Sequence, residues 1–183
     1  MATVKCLFVG DFNSGKSALL RRIVDDVFEP TSPTVGVEFH TITVPHVPHR
    51  VTAWNLAGAP RFQEILQLYY KNAQIVFVVV DASVPGNNVG KWVTRANTLC
   101  RDARVVIVFT KIDLPMNYTV REIELMKTHY RVFDCCMVSS KAMTSRDILA
   151  TLGKVFYSVQ PIESCLHDYT PHNGKSWFCC FGR

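Results

Sequence analysis

The sequence has no long apolar run, no secretory leader and no cluster of basic residues. No stretch reaches the roughly 18 apolar residues that a membrane-spanning helix needs, so no such helix is expected. The N-terminal MATVKCLFVG leads directly into a strand pattern and lacks the charged region and cleavage site of a signal peptide. The net charge of +5 comes from scattered basic residues, so nucleic acid is not a predicted partner.

The seven cysteines also lack the spacing of a zinc site, and without a signal peptide they indicate a reducing compartment. Internal repeats and low-complexity tracts are missing as well. What remains is a chain of 183 residues, 48% of them hydrophobic, which suffices for one domain with one core of ordinary size.

Strand-like and helix-like segments alternate along the chain. Runs of β-branched and aromatic residues predict strands at 3–10, 74–82, 103–110 and 131–138, and two strands joined by a turn within 36–56. Apolar residues spaced by three and four predict helices at 16–26, 59–72, 88–101, 119–129 and 144–158, the last capped by Thr144 or Ser145. This alternation predicts an α/β fold with a parallel sheet covered on both faces, where ligands bind at the carboxyl ends of the strands.

The stretch GDFNSGKS at 10–17 fits the phosphate-binding pattern G-x-x-x-x-G-K-[ST] and lies between a predicted strand and a predicted helix. Gly10 and Gly15 allow the backbone to curl so that its N–H groups face phosphate oxygens. Lys16 places a positive charge against the outer phosphates, and the Ser17 hydroxyl is a magnesium ligand. The candidate nucleotide-binding residues here are Gly10, Asn13, Ser14, Gly15, Lys16, Ser17 and Ala18.

Two short motifs at later strand ends indicate which base is bound. TKID at 110–113 follows the fifth strand, and its Asp113 can accept two hydrogen bonds that guanine donates and adenine cannot. SSK at 139–141 follows the sixth strand, where a backbone N–H can reach the guanine carbonyl. In this order, each at the end of a strand, the three motifs predict a guanine-nucleotide site.

Over residues 3–160 the chain resembles small GTPases of the Ras superfamily, and specifically Rab proteins. PTVGVEF at 33–39 resembles the first Rab switch segment, and RFQEILQLYYKNA at 61–73 resembles the second, including Tyr69 and Tyr70. The resemblance implies a P-loop NTPase small-GTPase domain over 1–160. It also implies a six-stranded, mostly parallel sheet with one antiparallel strand, five helices on its two faces, and GTP or GDP with Mg²⁺ as cofactors.

The resemblance also implies roles for single residues. Thr34 would ligate magnesium and sense the third phosphate, Phe28 would pack against the base, and Gly58 would donate its N–H to the third phosphate. Asn55 would reach the metal indirectly, at the position of the family's aspartate. The remaining base-pocket candidates are Thr110, Lys111, Asp113, Ser139, Ser140 and Lys141.

The sequence departs from the family pattern where hydrolysis takes place. Asn55 lacks the negative charge of the usual aspartate, and Ala59 cannot orient a water molecule as the usual glutamine does. Pro60 stiffens the segment, and Phe12 would crowd the third phosphate. No catalytic residue is therefore predicted, and GTP hydrolysis should be slow or absent. Thr110 replaces the usual asparagine, which predicts a weaker contact between base pocket and phosphate loop.

Residues 161–183 lose the hydrophobic period, which predicts a flexible C-terminal tail. Cys179 and Cys180 resemble a Rab prenylation signal, although palmitoylation, or an apolar tail that packs on another surface, would also explain the WFCCF stretch. A lipidated tail would hold the protein in the cytoplasm, on the cytosolic face of an intracellular membrane.

Three functions remain open at this point. The first is a Rab-like trafficking switch that stays GTP-bound and recruits effector proteins through 33–43 and 59–72. The second is a pseudo-GTPase that serves as an interaction module in a larger assembly, and the third is an ordinary cycling GTPase. A monomer is expected unless the chain is part of such an assembly.

Overall fold

The chain folds around a six-stranded sheet, in a computed structural model that describes residues 3–85 and 88–161. The strands are β1 Thr3–Val9, β2 Val37–Ile42, β3 Arg50–Leu56, β4 Ile75–Asp81, β5 Arg104–Thr110 and β6 Asp134–Met137. The α-helices in these ranges are α1 Lys16–Asp25, α2 Val89–Leu99, α3 Val120–Tyr130 and α4 Ser145–Tyr157. The strand order is β2-β3-β1-β4-β5-β6, with β2 antiparallel to β3 and every other pair parallel. This confirms the predicted fold class.

The sheet is covered on both faces because its central strands are apolar on both sides. Every residue of β4 is buried, as expected for a parallel strand between two helical layers. Helices α1 and α4 close one apolar core, where the rings of Phe8, Phe77 and Phe156 meet. Helices α2 and α3 close the other, around Trp92. The two layers leave the carboxyl ends of β1, β4, β5 and β6 at one open edge.

The segment 59–72 differs from the α-helix that its spacing predicts. It forms two short 3₁₀ helices, Pro60–Phe62 and Ile65–Tyr70. The carbonyl of Gln63, which an α-helix would use internally, accepts from the Arg95 guanidinium of α2 instead. The amide of Gln67 then donates to the carbonyl of Glu64, three residues back. The helical character that the apolar spacing predicts is present, and the helix type is 3₁₀ instead of α.

The tail lies outside the described residues, and so do Cys179 and Cys180. The predictions of a flexible C-terminal segment and of its lipidation therefore stay predictions. Among the helices in the described ranges, none is both long enough and apolar enough to cross a membrane.

The N-terminus of α4 is fixed by Thr144, the first of the two capping candidates. Its hydroxyl accepts from the amide of Asp147, and the Asp147 carboxylate accepts from the amide of Thr144. This reciprocal pair satisfies two amides that the helix leaves unpaired at its start. Helix α4 in turn packs against α1, which begins at the phosphate loop.

Replacing Thr144 with alanine should destabilise the protein by about 1 kcal/mol, because the cap is lost while the core is untouched. Urea unfolding followed by circular dichroism measures this as a lower midpoint with unchanged slope. The matched control is Thr98→Ala, which removes the same atoms from an exposed position within α2. Equal midpoints for the two variants would contradict the capping assignment.

Candidate functional site

A cavity of ≈ 550 Å³ opens at the carboxyl edge of the sheet. Its wall includes most of the residues predicted from the sequence: Phe12, Asn13, Ser14, Gly15, Lys16, Ser17, Ala18, Phe28, Thr34, Gly58, Thr110, Lys111, Asp113, Ser140 and Lys141. Four predicted positions lie off the wall, namely Gly10, Asn55, Ala59 and Ser139. Motifs separated by more than a hundred residues thus meet in one place, as parallel strands ending at a common edge require.

The loop after β1 shapes one end of the cavity. Gly10 has φ +146°, and a Cβ there would lie 2.2 Å from the carbonyl oxygen of Val79 on β4. Only glycine fits that position, and its lack of a side chain lets the chain turn tightly from strand into loop. Gly58 approaches the same loop closely, because its Cβ would lie 2.6 Å from the Gly10 carbonyl oxygen and from the Phe12 amide nitrogen.

Lys16 is the charged centre of this end. Only 6% of the residue is exposed, and its Nζ donates to the carbonyl oxygens of Gly10 at 3.1 Å and Asp11 at 2.7 Å. Burial lowers the pKa of Lys16 to about 8, and the nearby Asp11 carboxylate partly opposes that shift. A buried ammonium group beside an open cavity favours an anionic ligand.

The Asp11 carboxylate is held away from the cavity by α2. It accepts hydrogen bonds from the Trp92 indole at 3.0 Å and from the amide of Asn88 at 3.2 Å. Burial alone would raise the pKa of Asp11, but these hydrogen bonds and the charge of Lys16 bring it below its ordinary value. The phosphate loop is therefore anchored to the second helical layer by an ionised side chain.

The opposite end of the cavity is tied to the phosphate loop by Thr110 and Lys111. The Thr110 hydroxyl lies 2.7 Å from the carbonyl oxygen of Ser14, and its own burial is nearly complete. The contact between base pocket and phosphate loop is therefore present with threonine, and a lower strength than asparagine would give stays a prediction. The Lys111 ammonium adds a second tie, donating to the Asn13 carbonyl at 2.9 Å and pairing with Asp81 at 2.6 Å.

Asp113 carries the exposed carboxylate at this end. Its Oδ1 accepts a hydrogen bond from the Ser139 hydroxyl at 2.5 Å. The same hydroxyl oxygen accepts from the amides of Lys141 and Ala142 at 3.2 and 3.0 Å. Ser139 therefore orients Asp113 from behind the wall instead of lining the cavity, whereas Ser140 and Lys141 do line it.

The candidate metal residues converge between these two ends. Ser17 Oγ lies 2.9 Å from Thr34 Oγ1, and Asn55 Nδ2 lies 2.9 Å from Ser17 Oγ. Glu38, which the sequence reasoning did not single out, joins them with its Oε2 2.6 Å from Asn55 Nδ2. Asn55 is fully buried and its Oδ1 has no hydrogen-bond partner.

This donor set fits Mg²⁺. The ion prefers hard oxygen ligands, and two hydroxyl oxygens lie at a common point beside one carboxylate. The amide of Asn55 turns its Nδ2 toward this point and leaves its Oδ1 buried without a partner, which costs about 1–3 kcal/mol. With the amide turned over, Oδ1 would face the same point, and a bound cation or its water would relieve that cost.

Phe12, Ala59 and two amide side chains occupy different places relative to the cavity. Phe12 lines the cavity and is 60% exposed, so its ring stands at the mouth beside the phosphate loop. Ala59 does not reach the wall. Gln63, an alternative group for orienting water, is held by Arg95 at its side-chain oxygen, 3.1 Å, and lies off the wall. Asn13 is the amide side chain that does line the cavity.

Sequence reasoning missed part of the wall and one polar partner. Residues 29–32 and Leu114 line the cavity without belonging to a recognisable motif. Their adjacency to Phe28, Thr34 and Asp113 was the available signal. Glu38 could have been found from strand pairing, because it lies directly opposite Asn55 in the antiparallel β2–β3 pair.

Comparison with known proteins agrees with this geometry. A family model for Roc, the Ras of Complex domain of DAPkinase, matches residues 5–113. The Ras-related protein Rab-18 of Caenorhabditis briggsae is 30% identical over 168 residues, covering 87% of this chain and 81% of that protein. Rab-18 of Caenorhabditis elegans is 29% identical with the same coverage, and Rab-18-B of Danio rerio is 33% identical over 120 residues, 62% of this chain and 58% of its own. The chain therefore belongs to the Rab family of small GTPases in the Ras superfamily.

Proposed function

We propose that this protein binds a guanine nucleotide with Mg²⁺ in the cavity and acts as a membrane-trafficking switch that stays in the GTP-bound state. The observation that carries the proposal is the pairing of a buried ammonium at one end of the cavity with an oriented carboxylate at the other. Phe28 and the phosphate loop line the same cavity. Such a cavity suits a ligand with a planar base and an anionic chain.

The base end supports guanine specificity. Asp113 presents an acceptor that matches the two neighbouring donors on the edge of guanine, and Ser139 fixes its orientation. Adenine would leave this carboxylate without donors. The Phe28 ring and Lys111 both line the cavity, and Phe28 would pack edge-on against the base.

The phosphate end supports tight retention of the nucleotide. Lys16 lines the cavity and begins helix α1, so its ammonium and the helix N-terminus would both place positive charge toward bound phosphates. Ser17 and Thr34 would hold the metal, which supplies charge neutralisation between the phosphates when bound. Thr34 then connects the nucleotide to the segment 33–43.

Hydrolysis is the step that this chain supports least. No amide or acidic side chain stands where Ala59 is, and the Gln63 side chain is engaged by Arg95. Phe12 stands at the mouth, where a partner's arginine would have to enter. Loss of the water-orienting group and of the arginine route both act against the same transition state, so GTP would persist once bound.

The two switch segments would form the effector surface. Segments 33–43 and 59–72 expose apolar side chains, including Val35, Phe39, Ile65 and Leu68. Phe39 meets Trp54 edge to face at 5.1 Å between ring centroids, and Tyr69 continues this aromatic row. Several exposed apolar side chains on two segments that an aromatic row connects would suit a protein-binding site. Lipidation of Cys179 and Cys180 would keep this surface on the cytosolic face of an intracellular membrane.

A second function, that of a pseudo-GTPase interaction module, is favoured by the hydrogen bonds of Asn55. The Asn55 amide donates to both the Ser17 hydroxyl and the Thr34 hydroxyl. Protein atoms therefore hold the first switch segment against the phosphate loop. Such a protein could keep its binding surface with little or no nucleotide. Nucleotide content after purification separates the functions: bound GTP supports the locked switch, bound GDP an ordinary cycling GTPase, and empty protein the interaction module.

Replacing Asp113 with asparagine should weaken GTP binding by about ten- to a hundredfold, because an acceptor for the guanine donors is lost. The affinity for xanthine nucleotides should rise, since the new amide can donate a hydrogen bond to their extra carbonyl. Competition against a fluorescent GDP analogue measures both effects. The control is Asp134→Asn, the same chemical change on β6, at a residue that pairs with Lys127 of α3. Wild-type protein that binds ATP as well as GTP would disprove the guanine assignment.

Nucleotide affinity should fall as the pH rises through about 8. The empty protein gives up the Lys16 proton near that pH, because burial lowers this pKa, while bound phosphates favour the charged form. The full interaction is therefore present below pH 8 and is lost above it. Equilibrium titrations should show about a tenfold loss between pH 7 and pH 9. A Lys16→Met variant should bind weakly with a flat profile, and a flat wild-type profile would contradict the role of this ammonium.

Single-turnover GTP hydrolysis should be at least about tenfold slower than the roughly 3–5 × 10⁻⁴ s⁻¹ of unassisted Ras. Ala59→Gln alone should recover little of this rate, because Phe12 still occupies the mouth. Ala59→Gln combined with Phe12→Ser should recover more, and phosphate release from preloaded GTP measures each variant. An ordinary wild-type rate would sink the locked-switch proposal and point to Asn13 as the group that orients water.

A further inference from the structure

We propose that Glu38 supplies the carboxylate of the magnesium site, so that negative charge which Asn55 cannot provide comes from the neighbouring strand. This inference rests on the proposed nucleotide and Mg²⁺ binding and adds a residue to it. Glu38 belongs to β2 and Asn55 to β3, and the two are direct partners in the antiparallel pair. Their side chains therefore reach the same point from two strands.

The contacts of Glu38 place its carboxylate among the candidate metal ligands. One oxygen, Oε2, lies 2.6 Å from Asn55 Nδ2, and the other, Oε1, lies 3.2 Å from Thr34 Oγ1. Thr34 Oγ1 is in turn 2.9 Å from Ser17 Oγ. The Thr34 hydroxyl is thus hydrogen-bonded directly to the Glu38 carboxylate. The Ser17 hydroxyl is connected to the same carboxylate through the Asn55 amide group.

Charge distinguishes Glu38 from its neighbours. Ser17, Thr34 and Asn55 are neutral, so hydroxyl and amide groups alone would face a divalent cation. Within residues 3–85 and 88–161, no three histidine, cysteine, aspartate or glutamate side chains converge on a metal-sized site. The Glu38 carboxylate is the anionic group in contact with this cluster, and a nearby anion lowers the free energy of a bound cation.

The hydrogen bonding of Asn55 gives the second, independent observation. Its Nδ2 has three oxygen neighbours within 3.3 Å, those of Ser17, Thr34 and Glu38, but carries only two hydrogens. Its Oδ1, fully buried, has no partner at all. The amide nitrogen therefore sits among oxygens in the way a cation would. A half-turn of the amide would present Oδ1 to the same oxygens and suit an ion or its water.

The proposal predicts that a carboxylate at position 55 on β3 can replace the Glu38 carboxylate on β2 in supporting Mg²⁺ binding. Glu38→Gln should raise the free Mg²⁺ concentration that half-maximally slows nucleotide release by at least about tenfold. The exchanged double variant, Glu38→Gln with Asn55→Asp, should return that concentration to within about threefold of wild type. Asn55→Asp alone places two carboxylates side by side and is not expected to improve on the exchanged variant.

The experiment follows release of a fluorescent GDP analogue from the full-length protein at a series of free Mg²⁺ concentrations. Glu124→Gln, the same chemical change at an exposed position of α3, is the matched control and should behave as wild type. Thermal unfolding of each nucleotide-free variant establishes that it folds. The concentration of Mg²⁺ at the half-effect, and not the rate of hydrolysis, is the quantity compared.

Three outcomes would overturn the inference. Glu38→Gln with the Mg²⁺ dependence of wild type would show that this carboxylate does not act on the ion. A loss that the exchanged variant fails to restore would show that Glu38 acts through packing and not through charge. Wild-type protein that holds no guanine nucleotide at saturating Mg²⁺ would overturn the proposed function itself, and is recognised before any variant is made.

Discussion

The structure depends on keeping the Lys16 ammonium group buried beside the phosphate loop. Burying a charge is costly unless polar groups surround it, and here backbone carbonyls do so. The carbonyls can face Lys16 only because Gly10 lets the chain turn against β4. Asp11, held by α2, balances part of the charge, and Thr110 and Lys111 fix the other side of the loop. The loop after β1, helix α2 and the loop after β5 thus meet around this one ammonium group.

Binding and hydrolysis use different parts of this arrangement. The groups suited to holding a nucleotide lie on the rigid loops after β1, β5 and β6, where strands fix them and hydrogen bonds connect them. The groups that normally assist hydrolysis come from the segment after β3 and from the loop position of Phe12. Substitutions there leave the core and the strand register intact. The fold and the cavity are therefore present with Phe12 and Ala59 at these positions.

Much of this site was predictable because parallel strands impose their order on it. Motifs at 10–17, 110–113 and 139–141 each follow a strand, so their meeting at one edge follows from topology alone. What the sequence does not reveal depends on contacts between side chain and backbone across elements. One is the hydrogen bond from the Arg95 guanidinium to the Gln63 carbonyl beside the 3₁₀ helices of 59–72, and another is the hydrogen bond from the Thr110 hydroxyl to the Ser14 carbonyl. Glu38 was missed because its partner lies on another strand, where a motif gives no sign of it.

The contact between Arg95 and Gln63 has a further consequence for signalling. It fastens the second switch segment to α2 through groups that do not touch the cavity. A ligand shifts a conformational equilibrium only by its difference in affinity between the two states. Any rearrangement that pulls this segment away from α2 must break the contact, so its free energy adds to the cost of that rearrangement. The contact therefore favours a second switch segment that keeps one shape.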